Sequence, residues 1–262
     1  MLDFMSIIRA ISRLLLFVVL VIVFLLVGAV IILISPDSDV KLKRFSNSVN
    51  FFCKLIVKTF GIRLSVKNKP DDNSIFLMVS NHMGFIDILA NGSTFPMLFV
   101  TSREMRETPV LGLITEMGGC IYVERRSRSK ILDELYMIAE VMKKGFRVVL
   151  YPEATSTNGE QVLPFKKTLI MAAAYAGVPI QPVVVNFLKI NEEEFTLKWR
   201  DHVCWYGDIP FIVAIWRAFS LKNIDVEIEF LPSFQPQPED DRGVIADKAH
   251  ALITERFIPV KQ

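Results

Sequence analysis

An α/β fold is what this sequence predicts: a mixed central sheet flanked by helices, preceded by a membrane helix and an amphipathic helix. Three observations carry the expectation. Residues 14–34 are apolar or Gly without a break. From residue 75 onward, short apolar runs of strand length recur. Segments of helical period, closed by glycines, lie between several of them.

The apolar run "LLLFVVLVIVFLLVGAVIILI" covers roughly 30 Å as a helix, the thickness of a bilayer's hydrocarbon. It is longer than the apolar core of a signal peptide, and the "SPDSDVKLKR" that follows has no small-x-small cleavage site. Residues 1–36 are therefore expected to be a retained, single-pass anchor, and residues 37–262 one domain. Arg9 and Arg13 precede the run, whereas Lys41, Lys43, Arg44, Lys54 and Lys58 follow it, which places the domain on the cytoplasmic face, the inner membrane if the cell is bacterial. Cys53, Cys120 and Cys204 form no paired spacing and suit a reducing compartment. A net charge of +2 is no nucleic-acid footprint.

Residues 45–61 have apolar positions at helical spacing with Gly61 as a stop, and read either as a helix packed on the domain or as one lying on the membrane. Strands are expected at 75–80, 97–101, 120–124, 147–151, 180–185, 195–199 and 226–230. A helix over 129–145 puts Leu132, Leu135, Ala139 and Met142 on one side, with Lys143 and Lys144 in its last turn and Gly145 after it. A second helix covers 166–177 and ends at Gly177, and a last one follows the proline-marked loop 232–241.

The strand at 75–80 runs into "SNHMGFIDILANG". His82, one of three histidines, stands five residues before Asp87. On a regular helix the two would lie about 140° apart and could not meet. A turn at Gly84 can bring them together at the sheet edge. Asp87 would then fix the tautomer of His82, whose other nitrogen could accept a proton from a hydroxyl. No G-x-S-x-G elbow offers a serine nucleophile, and His202 and His250 stand without metal-ligand spacing.

Three later segments add polar groups, the first two of them at strand ends. "GGCIYVERR" ends in Arg125 and Arg126, "LYPEATSTNG" carries Glu153, Thr155 and Ser156, and "LPFKKT" adds Lys166 and Lys167 ahead of "AGVPIQPVVV". In order, these blocks resemble the four motifs of the glycerolipid acyltransferases, the lysophosphatidic acid acyltransferase family. Asn81, His82 and Asp87 match N-H-x4-D. Gly119 and Arg125 match the second motif. Pro152, Glu153 and Thr155 match F-P-E-G-T-R, with Tyr151 in place of Phe, and Val178, Pro179, Ile180, Pro182 and Val183 match V-P-I-x-P-V.

The resemblance implies that residues 37–262 are a membrane-bound O-acyltransferase domain of phospholipid synthesis. A fatty acyl group would pass from acyl-CoA or acyl carrier protein, as co-substrate, to the hydroxyl of a lysolipid like 1-acylglycerol-3-phosphate, or alternatively to a non-phosphatidate acceptor. His82 would be the base and Asp87 its orienter, with no metal and no cofactor. Asn81, Arg125, Glu153, Thr155, Ser156 and Lys166 are the implied substrate-binding residues. Residues 204–219, rich in aromatics, then read as a core helix or as a wall of an acyl-chain pocket. The chain departs from the family at Ala154, where Gly is usual, and Ser156, where Arg is usual. A left-handed backbone at 154 would strain Ala, so a slightly different turn is expected there. Loss of the arginine removes a bidentate phosphate donor, and the wording here is closer to lyso-ornithine-lipid and lysophosphatidylcholine enzymes. Against these stand two other classes, a non-catalytic lipid-binding relative and a lipid hydrolase.

Overall fold

The computed structural model describes residues 4–124 and 130–262. Helix α1 (Phe4–Ile34) is 31 residues long and is the one described helix long and apolar enough to cross a membrane. It does not stand clear of the rest of the chain. Ala10, Leu20, Phe24, Gly28 and Ile31 are buried along one side. Phe17 packs edge-on to Phe219 and Phe24 to Phe52, with ring centroids 5.6 and 5.2 Å apart. The opposite side leaves Leu15, Leu26 and Leu33 exposed.

Asp37 reverses the chain by accepting from the amides of Asp39 and Val40, an N-cap for α2 (Ser38–Thr59). Helix α2 buries Phe45, Phe52, Cys53, Ile56 and Val57 against α1 and the domain. Of the two readings of residues 45–61, the packing favours the helix seated on the domain.

The sheet begins with β1 (Ile62–Lys67), a strand the sequence reading passes over although Ile62, Leu64 and Val66 alternate. β2 (Leu77–Ser80), α3 (Phe85–Thr94) and β3 (Leu98–Ser102) follow, then two short helices, α4 (Arg103–Glu107) and α5 (Leu111–Met117). β4 (Ile121–Val123), α6 (Ile131–Lys143) and β5 (Val148–Leu150) complete the next unit. A 3-10 turn (Leu169–Met171) leads into α7 (Ala172–Ala176), so only the second half of the expected 166–177 helix is regular; Gly177 ends it at φ 70°. β6 (Ile180–Ile190), β7 (Glu193–Glu194), α8 (Leu197–Val203), α9 (Phe211–Ser220), β8 (Ile224–Phe230) and α10 (Arg242–Arg256) close the chain.

The strand order is β1-β8-β6-β2-β5-β3-β4, with β7 on β6. β6 pairs β8 antiparallel, while β6, β2, β5, β3 and β4 are mutually parallel neighbours. The sheet is mixed and covered on both faces. Met78, Val149 and Val185 join the core that includes α1, α2, α3 and α9; Leu77, Val79 and Val148 join the core that includes α6, α7 and α10. Such two-sided burial explains why Leu77–Val79 of β2 and the whole of β5 are apolar without alternation.

The expected strand at 195–199 is a correction: those residues run into α8. Asn191 and Glu192 turn the chain with φ of 54° and 71°, β7 lasts two residues, and Thr196 starts the helix. Trp199 Nε1 then donates to Glu193 Oε2 at 3.0 Å. The alternation of Phe195, Leu197 and Trp199 is too brief to separate a strand from one helical turn.

Candidate active site

β2 ends at Ser80, between the parallel strands β5 and β6, and the chain leaves it through Asn81–His82–Met83 before α3 starts. Gly84 is the N-cap, at φ 149°. A Cβ there would lie 2.8 Å from the Trp205 backbone nitrogen, so this position needs glycine for space and for dihedral. Asp87, in the first turn of α3, is fully buried. Its Oδ2 accepts from the amides of Met83 (2.5 Å) and Gly84 (2.8 Å), and its Oδ1 meets His82 Nδ1 at 2.9 Å. The i,i+5 pair thus meets because only one member is helical. The carboxylate caps the positive end of α3 while it holds the imidazole.

Neighbouring strands complete the frame. Tyr151, just past β5, stacks on the His82 ring at 4.4 Å between centroids and 26° between planes. Its hydroxyl accepts from Asn91 Nδ2 at 3.2 Å, and its phenol is pushed well above 10 by burial and by the Asp87 charge. Asn91, buried behind the pair on α3, also donates to Ser80 Oγ at 3.2 Å. Glu153 is 4% exposed and accepts from the amides of His82 (Oε1, 2.7 Å) and Leu163 (Oε2, 2.7 Å). Burial lifts its carboxyl from 4.5 to about 7. Thr157 N donates to the His82 carbonyl at 2.8 Å, which ties the Glu153 loop to the histidine a second time.

The residues expected to bind substrate do not share one place. Asn81 is 1% exposed, and its side chain is fully engaged with the Val185 backbone: Nδ2 donates to the carbonyl at 3.0 Å and Oδ1 accepts from the amide at 2.8 Å. Asn81 and Glu153 therefore hold the backbone around His82 and do not face open space. Thr155 and Ser156 border the cavity beside His82, although Ser156 Oγ is turned onto the Trp205 carbonyl. Lys166 is exposed and away from the cavity lining; its amide donates to Pro152 O at 2.8 Å. Arg125 lies outside the described residues. At Ala154 the turn corrects the expectation: φ is 60°, the left-handed conformation that glycine takes without strain.

His82, 17% exposed at its side chain, borders a cavity of about 420 Å³. Its walls are apolar: Leu20 and Phe24 of α1, Phe52 and Cys53 of α2, Phe85 and Leu89 of α3, Ile114 of α5, Phe211 and Ile215 of α9. Residues 204–219 thus supply a core helix with one edge on the cavity. Cys120 also reaches the wall, and burial pushes its thiol and that of Cys53 up to about 12, which leaves neither as a nucleophile at neutral pH. Among the described residues no group of three His, Cys, Asp or Glu could hold a metal ion. Sequence reasoning missed Tyr151 as a ring partner, Asn91, and the Trp205 loop. Asn91 lies inside the opening motif, but nothing in its spacing marks it as a neighbour of Tyr151.

A buried carboxylate, an oriented imidazole and an apolar cavity beside them have counterparts in known proteins. The family model described as Acyltransferase matches residues 62–186. A lyso-ornithine lipid O-acyltransferase of Brucella abortus is 29% identical over 204 residues, 75% of this chain and 76% of that one. A 1-acyl-sn-glycerol-3-phosphate acyltransferase of Neisseria gonorrhoeae is 27% identical over 184 residues, 70% of each chain. The crystal structure of the 1-acyl-sn-glycerophosphate (LPA) acyltransferase PlsC from Thermotoga maritima shares the fold with a TM-score of 0.62 over 94% of this chain and 95% of that one, at 18% identity. The four motif blocks, the sheet order that gathers three of them around one histidine, and these matches together identify residues 62–186 as an acyltransferase domain, that of an enzyme of membrane lipid synthesis.

Proposed function

We propose that this enzyme moves a fatty acyl group from a thioester, acyl-CoA or acyl carrier protein, directly to a hydroxyl of a lysolipid. The observation that carries the reading is His82 Nδ1 held at 2.9 Å by buried Asp87, with the same ring at the edge of an apolar cavity. With Nδ1 occupied, Nε2 is the base. It takes the proton of the acceptor hydroxyl as that oxygen bonds to the thioester carbonyl carbon. The tetrahedral intermediate then expels the thiolate, which receives a proton from the imidazolium. The acyl chain lies in the cavity between α1, α2, α3 and α5. The reaction so written uses no metal and no resident cofactor.

Thr155 and Ser156 border the acceptor, and Ser156 provides no cation where the family has arginine. This favours an acceptor without a bare phosphate monoester, such as a lyso-ornithine lipid or lysophosphatidylcholine, over lysophosphatidic acid. The Brucella abortus relative carries the name of an ornithine-lipid enzyme, in the same direction. Lysolipids of the three kinds, offered side by side to the purified enzyme with one acyl donor, should rank lysophosphatidic acid below the others. A strong preference for lysophosphatidic acid defeats the acceptor assignment. The His82→Ala chain should transfer at least about 10²-fold more slowly with its fold intact, as for any lost general base. Transfer near the wild-type rate in that variant defeats the mechanism, and release of free fatty acid without acylated product makes the enzyme a hydrolase.

The enzyme associates with the membrane through α1. The finer reading is a single pass with the domain on the cytoplasmic face, supported by the basic residues that follow α1. Packing of α1 along the domain from Ala10 to Ile31 favours a strongly tilted helix, one face on the protein and the other in lipid. Cysteines introduced at residues 4 and 36 should label from opposite sides of sealed vesicles; labelling of both from one side replaces the pass with a helix immersed in one leaflet.

A further inference from the structure

Next to α1, the segment from α4 to α5 forms a small helical projection whose tip is apolar. Val110 is 58% exposed and Leu113 is 52% exposed. The same short helix turns Leu111 and Ile114 into the cavity beside the catalytic pair. Leu113 and Met117 stand four residues apart and so share a different face. Met117 is pressed onto Gly28 of α1, where an added Cβ would lie 2.8 Å from the methionine side chain. One turn beyond Gly28 on α1, Ile32 is 46% exposed. The exposed apolar surface of α1 therefore continues across this contact onto Leu113 and Val110.

Two details show that the projection is built and not frayed. Gly112 lets α5 close on α4, since a Cβ there would collide with the Arg106 carbonyl, and Arg106 pairs with Glu116 at 3.0 Å. Val110 has φ 65° and ψ −54°, and Leu111 N donates to Pro109 O at 2.8 Å. A β-branched residue in that turn is strained, and its side chain is left more than half exposed.

We propose that residues 110–117 are a second lipid contact: their tip seats in the leaflet beside α1, and acyl chains enter the cavity sideways from the bilayer past Leu111 and Ile114. The occupant is the bilayer itself, because the patch is continuous with the face of α1 that already meets lipid. The lipid contact rests on the proposed membrane association of α1, and the entry route rests also on the proposed reaction.

The full chain, carrying an environment-sensitive nitrobenzoxadiazole label at Leu113→Cys, is bound to phosphatidylethanolamine–phosphatidylglycerol vesicles containing lipids nitroxide-tagged on the acyl chain. Matching labels at Leu33→Cys on α1 and Val244→Cys on α10, 83% and 65% exposed, give the two reference points. The label at 113 should be quenched several-fold more than that at 244 and close to that at 33. Quenching equal to the label at 244 overturns the contact. Leu113→Asp should slow transfer to a vesicle-borne lysolipid several-fold and leave transfer to a water-soluble short-chain acceptor unchanged; an equal fall on both acceptors overturns the entry route. Should no acceptor be turned over by the unmodified chain, the proposed function fails, and the quenching still decides the contact.

Discussion

The two oxygens of Asp87 have separate partners, His82 on one and the first amides of α3 on the other. Asp87→Asn keeps the volume but brings an NH₂ to a site where every neighbour donates. Its kcat/KM should fall at least about 10²-fold through the wrong tautomer, and its Tm should drop with the loss of about 1 kcal/mol of capping. Unchanged kinetics would remove the pair from the mechanism. Glu153 gives a pH-dependent expectation. Its carboxyl rises from 4.5 to about 7 on folding because of burial, so the folded chain keeps a proton that the unfolded chain releases. Stability from this group is present below pH 4.5 and is lost as pH rises to about 7; at 1.36 kcal/mol per unit the loss is about 3 kcal/mol. Glu153→Gln should abolish that slope in denaturant unfolding measured from pH 5 to 8, and parallel profiles for the two proteins would refute it. Ala154 at φ 60° should be relieved by Ala154→Gly, a gain of about 0.5–1 kcal/mol in the same experiment.

The β2–α3 element is the unit that makes the site. Gly84 lets the chain pass beneath Trp205 at φ 149°, and Trp205 N donates to the Met83 carbonyl at 2.8 Å. Gly84→Ala must displace one of those segments. It should cost about 1–3 kcal/mol and reduce kcat more than KM, because the displacement reaches His82 before it reaches the cavity. A variant as stable and active as wild type would show that the Trp205 loop yields freely. At this scale the sequence was legible in part. The motif, its strand and its turn could be read, because a buried strand is a plain apolar run and a glycine marks a turn. β1 was missed, and residues 195–199 were misread, because both signals are about one helical turn long and either structure accommodates them.

Across the whole molecule, the apolar helix α1 also forms a wall of the cavity. Leu20 and Phe24 of α1 border the same space as His82. Leu20→Phe should therefore shift the preferred donor to shorter acyl chains and leave the ranking of acceptors as it was, measured with a series of donors of increasing chain length. An unchanged chain-length profile would make α1 an anchor only. The gathering of Tyr151, Glu153, Thr155 and Thr157 around His82 follows from the strand order, in which β5 lies directly beside β2 although α3, β3, β4 and α6 intervene in the chain. No local pattern encodes that adjacency.

By itself the sequence determined the α/β class, the apolar N-terminal helix, the turn at Gly84 and the four blocks that point to the family, since each rests on composition, periodicity or short motifs read along the chain. Only the tertiary structure decided that Asn81 and Glu153 hold backbone in place, that Tyr151 stacks on His82, that Ala154 takes a left-handed conformation and that α1 lines the cavity. Those outcomes depend on which elements pack together, and packing is set by the whole buried surface at once, not by any single stretch of chain.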